Sequence, residues 1–227
     1  FACWSGPPAR PSERRGRGND PPAARGRHVV SRTSPVTLYG AAWSVYVRIA
    51  RLALEEKGVP YERVEVDVFS DTGVPSDYLE RQPFGRIPAF QHGAFTLYET
   101  GAIVRYVDEE FPGPDLQPKD PQSRARVNQI VGILDAYAYR ALIREIYVER
   151  VVAPGQGRRA NEEIIADALP RAALCLSELN RLSTEDDFLC GSCVTLADLY
   201  AAPMFACFTQ APDAIALLNQ HQKLCQW

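Results

Sequence analysis

The first half of the chain changes between short apolar runs and apolar positions with helical spacing. Val36 to Tyr39 is a short run that predicts a strand, and the apolar positions from Val45 to Leu54 recur along one helix face. Val64, Val66 and Val68 then alternate with acidic residues, which predicts a second strand. Because strand, helix and strand follow one another within about 30 residues, the two strands are expected to pair in parallel.

The stretch that follows is organised around a proline. Residues 71–80 are polar and predict a loop with a short helix. Pro88 cannot donate a hydrogen bond to a sheet, so it is expected where a strand begins, and the polar residues Gln91 and His92 are expected to end that strand. A further strand over 95–98 then leads into a helix. The predicted order of this domain is βαβαββα.

The second half is predicted to be entirely helical. A proline-rich linker covers 111–119. The segments with helical spacing beyond it are 127–152, 162–182 and 196–208. Thr195 and Asp198 stand at the positions of an N-capping box, a structural cap for the last of these helices. The predicted fold class is therefore α/β plus all-α, with one domain over 36–110 and a helical domain over 120–227.

Charge is distributed unevenly along the chain. Residues 1–35 hold seven Arg against one Glu and one Asp, together with six Pro. Such a segment cannot bury enough apolar surface to offset its ordering entropy, so a disordered basic leader or an added extension is expected. The remainder carries 18 basic and 26 acidic residues, a net charge of -8, which argues against a nucleic-acid surface. No apolar run approaches the roughly 18 to 20 residues of a membrane helix, so no membrane association is expected.

Six cysteines are scattered along the chain, which favours a reducing, cytoplasmic location over a disulfide scaffold. Cys190 and Cys193 have the spacing of a redox motif, and with His221 and Cys225 they could also form a zinc site. Neither interpretation is favoured, because the pair lies outside any strand-helix-strand unit and 27 residues separate it from His221. No metal is expected.

The most specific signal is a series of six short motifs in a fixed order. They are Leu38-Tyr39-Gly40, Ser44 with Arg48, LEEKGVPY at 54–61, PFGRIPAF at 83–90, LYETGAI at 97–103 and LCGSCVTLAD at 189–198. With this series the chain resembles the soluble glutathione transferases of the serine type, such as the phi and theta classes, over residues 36–211. The resemblance implies a thioredoxin-like domain that binds glutathione, and a helical domain that supplies the pocket for an electrophilic co-substrate.

The resemblance also implies where glutathione would bind. Ile87, the residue before a cis proline at Pro88, would offer its backbone N–H and C=O to the cysteinyl part of glutathione, in the manner of an added strand. Thr100, at a helix start, would bind the γ-glutamyl carboxylate, and Glu99 would bind the ammonium group. Arg86 is a candidate contact to the backbone of the tripeptide.

The chemistry of such an enzyme needs a thiolate, because the protonated thiol is a poor nucleophile. Ser44 lies at the strand-to-helix turn where the serine-type classes keep their activating hydroxyl, so it is the expected catalytic residue, although a plain helix cap would also place serine there. Tyr39 is the alternative, since the tyrosine-type classes use a phenol near the first strand. Trp43 and Tyr137 are the expected residues of the co-substrate pocket.

The expected function is conjugation of glutathione to electrophilic hydrophobic small molecules, a detoxification reaction, by a homodimer. Two alternatives stay open: a non-catalytic interaction module with the same fold, and a glutathione-dependent thiol oxidoreductase or isomerase. One departure from the phi pattern affects the site. No basic residue lies between Asp71 and Asp77, where those relatives hold the glycyl carboxylate of glutathione, so that group would need Arg81, Arg86 or another donor.

Overall fold

A four-stranded sheet forms the centre of the N-terminal domain in the computed structural model, which describes residues 31–70 and 73–227. The strands are β1 (Val36–Tyr39), β2 (Glu62–Val64), β3 (Ala89–His92) and β4 (Phe95–Tyr98). They lie in the order β2-β1-β3-β4. β1 and β2 are parallel, as the sequence predicts, and β3 runs antiparallel to both of its neighbours.

Three helices cover the two faces of this sheet. They are α1 (Val45–Glu56), α2 (Ser76–Leu79) and α3 (Thr100–Glu110). Leu38 and Phe90 pack in one core with the apolar faces of α1 and α3. On the other face Ala89 packs against Tyr78 of α2 and against Val66. The predicted order βαβαββα is confirmed.

Two strand boundaries differ from the sequence prediction. β2 ends at Val64, because its partner strand β1 ends at Tyr39, the residue that pairs with Val64. Val66 therefore forms no strand pairing, and its side chain packs against one face of the sheet. β3 continues through Gln91 and His92, whose polar side chains find partners inside the domain. The Tyr39 hydroxyl donates to Gln91 Oε1 at 3.0 Å, and His92 Nδ1 lies 2.9 Å from the Tyr106 hydroxyl. Polarity therefore does not end the strand.

Local sequence fixes both ends of α1. Ser44 caps its N-terminus, with Oγ accepting the Val47 N–H at 3.4 Å. Gly40 is required just before it, because a Cβ at this position, with φ at +147°, would lie 2.5 Å from Val47 Cγ2. Gly58, with φ at +63°, ends the helix as the sequence predicts.

A buried ion pair fastens the linker between the two domains. Lys57, at the end of α1, and Asp108, in the last turn of α3, are 3.1 Å apart, and their side chains are 2% and 7% exposed. The same ammonium donates to the Pro114 carbonyl at 2.9 Å, and Asp108 accepts the Leu116 N–H at 2.9 Å. The linker is thus bonded to both α1 and α3.

The C-terminal domain is helical, as predicted. Its first element, the long helix α4, consists of Pro121–Ile133, the π-helical stretch Leu134–Val152 and a last turn Ala153–Gly155. The others are α5 (Glu162–Leu182), α6 (Leu196–Phe208), α7 (Pro212–Leu218) and α8 (Gln222–Gln226). The predicted bounds 162–182 and 196–208 are those found. π-Helical bonding is uncommon and often accompanies functional sites.

The start of α6 is held by one buried carboxylate. Asp198 accepts the N–H of Thr195 at 2.9 Å and its hydroxyl proton at 2.8 Å. It also accepts the Leu189 N–H and the Trp227 indole N–H, each at 2.9 Å. This carboxylate therefore joins the chain before α6 to the end of the described helical domain.

The leader predicted over residues 1–35 overlaps the described part only at 31–35. These residues contact the N-terminal domain: the Pro35 carbonyl accepts the Gly93 N–H at 3.0 Å, and Arg32 lies 3.4 Å from the Glu110 carboxylate. Residues 1–30, and the disorder predicted for them, lie outside the described residues. None of the described helices is long and apolar enough to cross a membrane.

Candidate active site

A cleft of about 1440 Å³ lies between the two domains. One wall is formed by the start of α1, the loop before β3 and the start of α3, and the opposite wall by α4 and α5. The predicted site residues that line it are Trp43, Ser44, Arg86, Ile87, Pro88, Glu99 and Thr100. Tyr39 and Tyr137 do not line it. Residues from three separate motifs thus meet in one cavity.

Ser44 combines a structural role with an unused donor. Its side chain is buried, and its Oγ accepts the Val47 N–H through a lone pair, which leaves the hydroxyl proton. Among the described residues the Ser44 hydroxyl donates no hydrogen bond. Capping α1 and donating to a ligand in the cleft are therefore compatible, and the positive end of the α1 dipole favours an anionic acceptor there.

The two tyrosines near Ser44 have their protons engaged elsewhere. Tyr39 donates to Gln91, and the Arg81 guanidinium covers its ring at 5.0 Å from the centroid, on the α2 side of the sheet. Tyr46 lines the cleft, but its hydroxyl donates to Asp135 Oδ1 at 2.7 Å. Burial, reinforced by this carboxylate, raises the pKa of Tyr46. Ser44 is left as the hydroxyl donor at this turn.

The Ile87–Pro88 peptide bond is cis, and it directly precedes β3. The loop is fixed from behind, because the Tyr78 hydroxyl donates to the Arg86 carbonyl at 2.6 Å. Within 31–70 and 73–227, the N–H and C=O groups of Ile87 have no hydrogen-bond partner. Since backbone polar groups are strong hydrogen-bonding groups, this residue offers an extended ligand one donor and one acceptor.

The N-terminus of α3 is open to the cleft. α1, α4 and α5 begin with side-chain caps from Ser44, Asp120 and Asn161, whereas α3 has no side-chain cap among the residues that the structure describes. Thr100 and Gly101, its first two residues, both line the cleft. Free amides at the positive end of a helix dipole form a site for an anionic group such as a carboxylate.

Glu99 has a strained backbone at this same turn. Its φ is 69° and its ψ is 115°, and it is the one described residue other than glycine with a positive φ. Such a conformation costs on the order of 1–3 kcal/mol and is concentrated at ligand sites. Glu99 lines the cleft next to the open end of α3. A ligand that binds there through a carboxylate and carries an ammonium group beside it could therefore pair that ammonium group with the Glu99 side chain.

We predict that Glu99→Gly is more stable than Glu99→Ala by about 1 kcal/mol, because glycine adopts a positive φ without a Cβ clash. Both variants lose the carboxylate, so their difference reports the backbone alone. In thermal unfolding the gap corresponds to about 2–4 °C. At Arg126, an exposed position in α4, the same pair should show the opposite order, with alanine more stable. Equal melting temperatures at position 99 would contradict the prediction.

Aromatic side chains form the apolar part of the cleft. Trp43 stacks on Phe69, with ring centroids 5.6 Å apart and an interplanar angle of 24°. Tyr137 is a correction to the sequence prediction, because it lines a separate cavity of about 410 Å³ between α4 and α5. Tyr139 faces the cleft in its place and packs on Tyr46 with centroids 4.6 Å apart. Two residues along a helix point to nearly opposite sides, which accounts for the exchange.

The charged residues of the helical wall are not indicated by any of the sequence motifs. Glu145 accepts from Arg140 at 2.8 Å and from Arg171 at 2.7 Å. Arg144 and Asp135 line the same wall. Helical spacing of apolar residues shows which face of a helix enters the core, but not what its polar face meets. No sequence signal short of the fold could have found this cluster.

The cysteine pair does not have the surroundings of a redox site. Burial, helped by the nearby Asp198 carboxylate, raises the pKa of Cys190 to about 11, so its thiol stays protonated at neutral pH. In the described part of the chain, no group of three or more His, Cys, Asp or Glu side chains could hold a metal ion. The structure thus gives no support to the zinc and redox interpretations.

Comparison with known proteins gives the same family as the motifs. Residues 38–115 match the family model described as the glutathione S-transferase N-terminal domain. Glutathione S-transferase F10 from Arabidopsis thaliana is 32% identical over 194 residues, which are 85% of this chain and 89% of that protein.

Solved structures agree. Glutathione transferase F7 from Populus trichocarpa superposes with a TM-score of 0.74 at 28% identity, covering 85% of this chain and 91% of that one. Glutathione S-transferase I from mais, in complex with an atrazine glutathione conjugate, has a TM-score of 0.73 at 27% identity, covering 86% and 90%. The chain belongs to the glutathione S-transferase family. The predicted fold, with a thioredoxin-like domain before a helical one, is confirmed, and the activity of this enzyme family is glutathione transfer.

Proposed function

We propose that this chain binds glutathione in the cleft and transfers its thiolate to electrophilic hydrophobic small molecules, with Ser44 as the catalytic residue. One observation carries the proposal. The free Ser44 proton, the unpartnered Ile87 peptide groups and the uncapped start of α3 all open into the same cleft. A thiolate, a peptide unit and a terminal carboxylate, in that combination, are the parts of glutathione.

Each end of the tripeptide has a counterpart. The γ-glutamyl carboxylate would bind at the Thr100 amide and hydroxyl, and its ammonium group at Glu99. The cysteinyl unit would pair with Ile87. For the glycyl carboxylate, Arg86 is the proposed partner, because it lines the cleft, whereas Arg81 stacks on a tyrosine ring outside it.

Ser44 would act by stabilising the thiolate. A free thiol has a pKa of about 8.5, so only about 3% is deprotonated at pH 7. A hydrogen bond from the Ser44 hydroxyl, at the positive end of α1, lowers that pKa. The thiol proton leaves to solvent, and the sulfur forms a bond to the electrophilic carbon. In a substitution the leaving group departs with the electron pair of the bond that breaks.

The co-substrate would bind beside the sulfur on the aromatic surface of the cleft. Trp43 and Phe69 are 57% and 66% exposed and stack on each other, so they offer a flat apolar surface next to Ser44. Tyr139 contributes from the helical wall. Aromatic rings in a cleft favour flat, apolar acceptors.

The proposal is tested by retention on glutathione resin and by conjugation of glutathione to a chlorodinitrobenzene acceptor. We expect retention and a rate well above the uncatalysed reaction. Retention without conjugation would favour the interaction module. Reduction of a glutathione mixed disulfide without conjugation would favour the thiol oxidoreductase. Neither retention nor conjugation would contradict the proposed function.

A homodimer and a cytoplasmic location complete the proposal. The cavity beside Tyr137 and Leu174 lies between α4 and α5, and Leu174 is 64% exposed, so a second copy would cover apolar surface there. Sedimentation should give twice the chain mass, and a monomer at micromolar concentration would contradict the dimer. Fractionation of source cells would test the location.

A further inference from the structure

Two arginines of the cleft lack a carboxylate partner. Arg140 and Arg171, on the helical wall, both bind Glu145. Arg86 and Arg144 also line the cleft, but neither forms an ion pair with any residue in the described ranges 31–70 and 73–227. Both residues are exposed, and a guanidinium group binds carboxylates well because it presents several N–H donors in a fixed plane. The cleft therefore has two arginines that are available to anionic groups of its ligands.

The positive charges of both arginines, Arg86 and Arg144, act on Tyr139. Burial raises the pKa of its phenol, and the positive charges of Arg144 and Arg86 oppose that effect. Its ring packs on Tyr46, two residues after Ser44, with centroids 4.6 Å apart. The positive region therefore borders the position proposed for the reactive sulfur, on the side of the helical wall.

The acidic residues of the cleft do not neutralise this region. Asp135 accepts the Tyr46 hydroxyl, and Glu145 is bound by two arginines. Glu99 lies at the start of α3 on the other domain. Asp167, on α5, is the remaining carboxylate of the cleft, and among the described residues it is not within ion-pair distance of Arg144. Arg144 therefore pairs with none of these carboxylates in the described part of the chain. Its guanidinium interacts with the Tyr139 hydroxyl, and its remaining N–H groups can bind a ligand.

We propose that the electrophilic co-substrate carries a carboxylate, which Arg144 binds with the help of the Tyr139 hydroxyl. This inference rests on the proposed function, which assigns Arg86 to the glycyl carboxylate of glutathione. Arg144 stands on α4, across the cleft from Arg86, so each arginine serves one of the two reactants. A flat aromatic ring on Trp43 and Phe69, with an acidic substituent directed to α4, fits the cleft.

The test compares two acceptors that differ in one ring substituent, a chlorodinitrobenzoate and its neutral primary amide, and their difference in intrinsic reactivity cancels when the enzymes are compared. For each enzyme the measured quantity is the ratio of kcat/KM for the acid to that for the amide. We expect Arg144→Gln to lower this ratio about tenfold or more, because a charge-assisted hydrogen bond is lost. The KM for glutathione should stay unchanged.

Arg140→Gln is the matched control. Arg140 lies on the same helix as Arg144 and lines the same cleft, but its guanidinium is bound to Glu145. The two substitutions change the net charge by the same amount. Its ratio should stay within about twofold of the wild type, since exposed charges at a distance are screened by salt. Equal losses in the two variants would show a general field effect and overturn the assignment of Arg144.

The remaining outcomes are also decisive. An unchanged ratio in Arg144→Gln would overturn the inference while amide conjugation continues to support the proposed function. A higher KM for glutathione, equal with both acceptors, would place Arg144 at the tripeptide and overturn the inference as well. If the wild type conjugates neither acceptor, the proposed function fails, and the inference fails with it.

Discussion

Ser44→Gly is expected to slow glutathione conjugation about 30-fold at pH 7, the ratio between full and about 3% thiolate. Glycine costs an N-cap only a few tenths of a kcal/mol, so α1 should keep its start and the melting temperature should change little. The variant therefore removes the hydroxyl proton while preserving the helix that the hydroxyl oxygen caps.

The pH dependence shows whether the loss lies in thiolate formation. The wild type, whose bound thiol has a lowered pKa, should have a nearly constant rate from pH 7 to 9. In Ser44→Gly the thiol regains a pKa of about 8.5, so the rate should rise about tenfold per pH unit below that value and approach the wild type above it. Single-turnover kinetics over this range would measure both profiles.

Two control variants separate the hydroxyl from its surroundings. Ser44→Thr keeps both the lone pair and the proton, so its profile should resemble that of the wild type. Tyr39→Phe removes a phenol that donates to Gln91 outside the cleft, and it should leave conjugation unchanged. Parallel pH profiles for Ser44→Gly and the wild type would contradict the catalytic assignment.

Asp108→Asn is expected to lower the free energy of unfolding by about 3 kcal/mol, because it leaves the Lys57 ammonium buried without a counter-charge. For a domain of this size the change corresponds to about 6–12 °C in melting temperature. The effect should exceed that of an ordinary surface substitution several-fold, since burial removes the water that would otherwise solvate the ammonium.

A solvent-exposed ion pair of similar length provides a control for the buried one. Lys119 and Asp115 are 3.2 Å apart, close to the buried distance of 3.1 Å, but their side chains are 89% and 63% exposed. Asp115→Asn should cost less than about 1 kcal/mol. The double variant Lys57→Met with Asp108→Asn should recover part of the loss, because no lone charge remains buried and the side-chain oxygen of the new asparagine can still accept the Leu116 N–H. Equal costs at positions 108 and 115 would contradict the argument.

Local signals explain why much of the fold could be predicted from the sequence. Ser44 and Gly58 bound α1, and the apolar spacing of α5 and α6 gave both helices within the bounds found. The alternating pattern correctly predicts that the Val66 side chain is buried. It wrongly predicts that Val66 belongs to β2, because a residue joins a sheet only where the neighbouring strand extends far enough to pair with it. Gln91 shows the converse, since a polar side chain stays in a strand when the fold supplies its partner.

The candidate site was predictable only in part. The motifs gave Ser44, Ile87 and Thr100, but their meeting in one cleft follows from strand order, which no local pattern specifies. The sequence predicts Tyr137 where the structure has Tyr139, because apolar spacing does not say which face of α4 lies toward the other domain. The same reason keeps Arg144 out of the sequence prediction.

α3 contributes to the site at one end and to the domain interface at the other. Its first residue, Thr100, borders the cleft, and Asp108, about 12 Å further along the helix, anchors the linker. A ligand that stabilises the first turn therefore also opposes any opening that pulls the last turn from Lys57. If glutathione binds at Thr100 as proposed, occupancy of the cleft and the stability of α3 would be linked equilibria, and the ligand would stabilise the helix that anchors the linker as well as react.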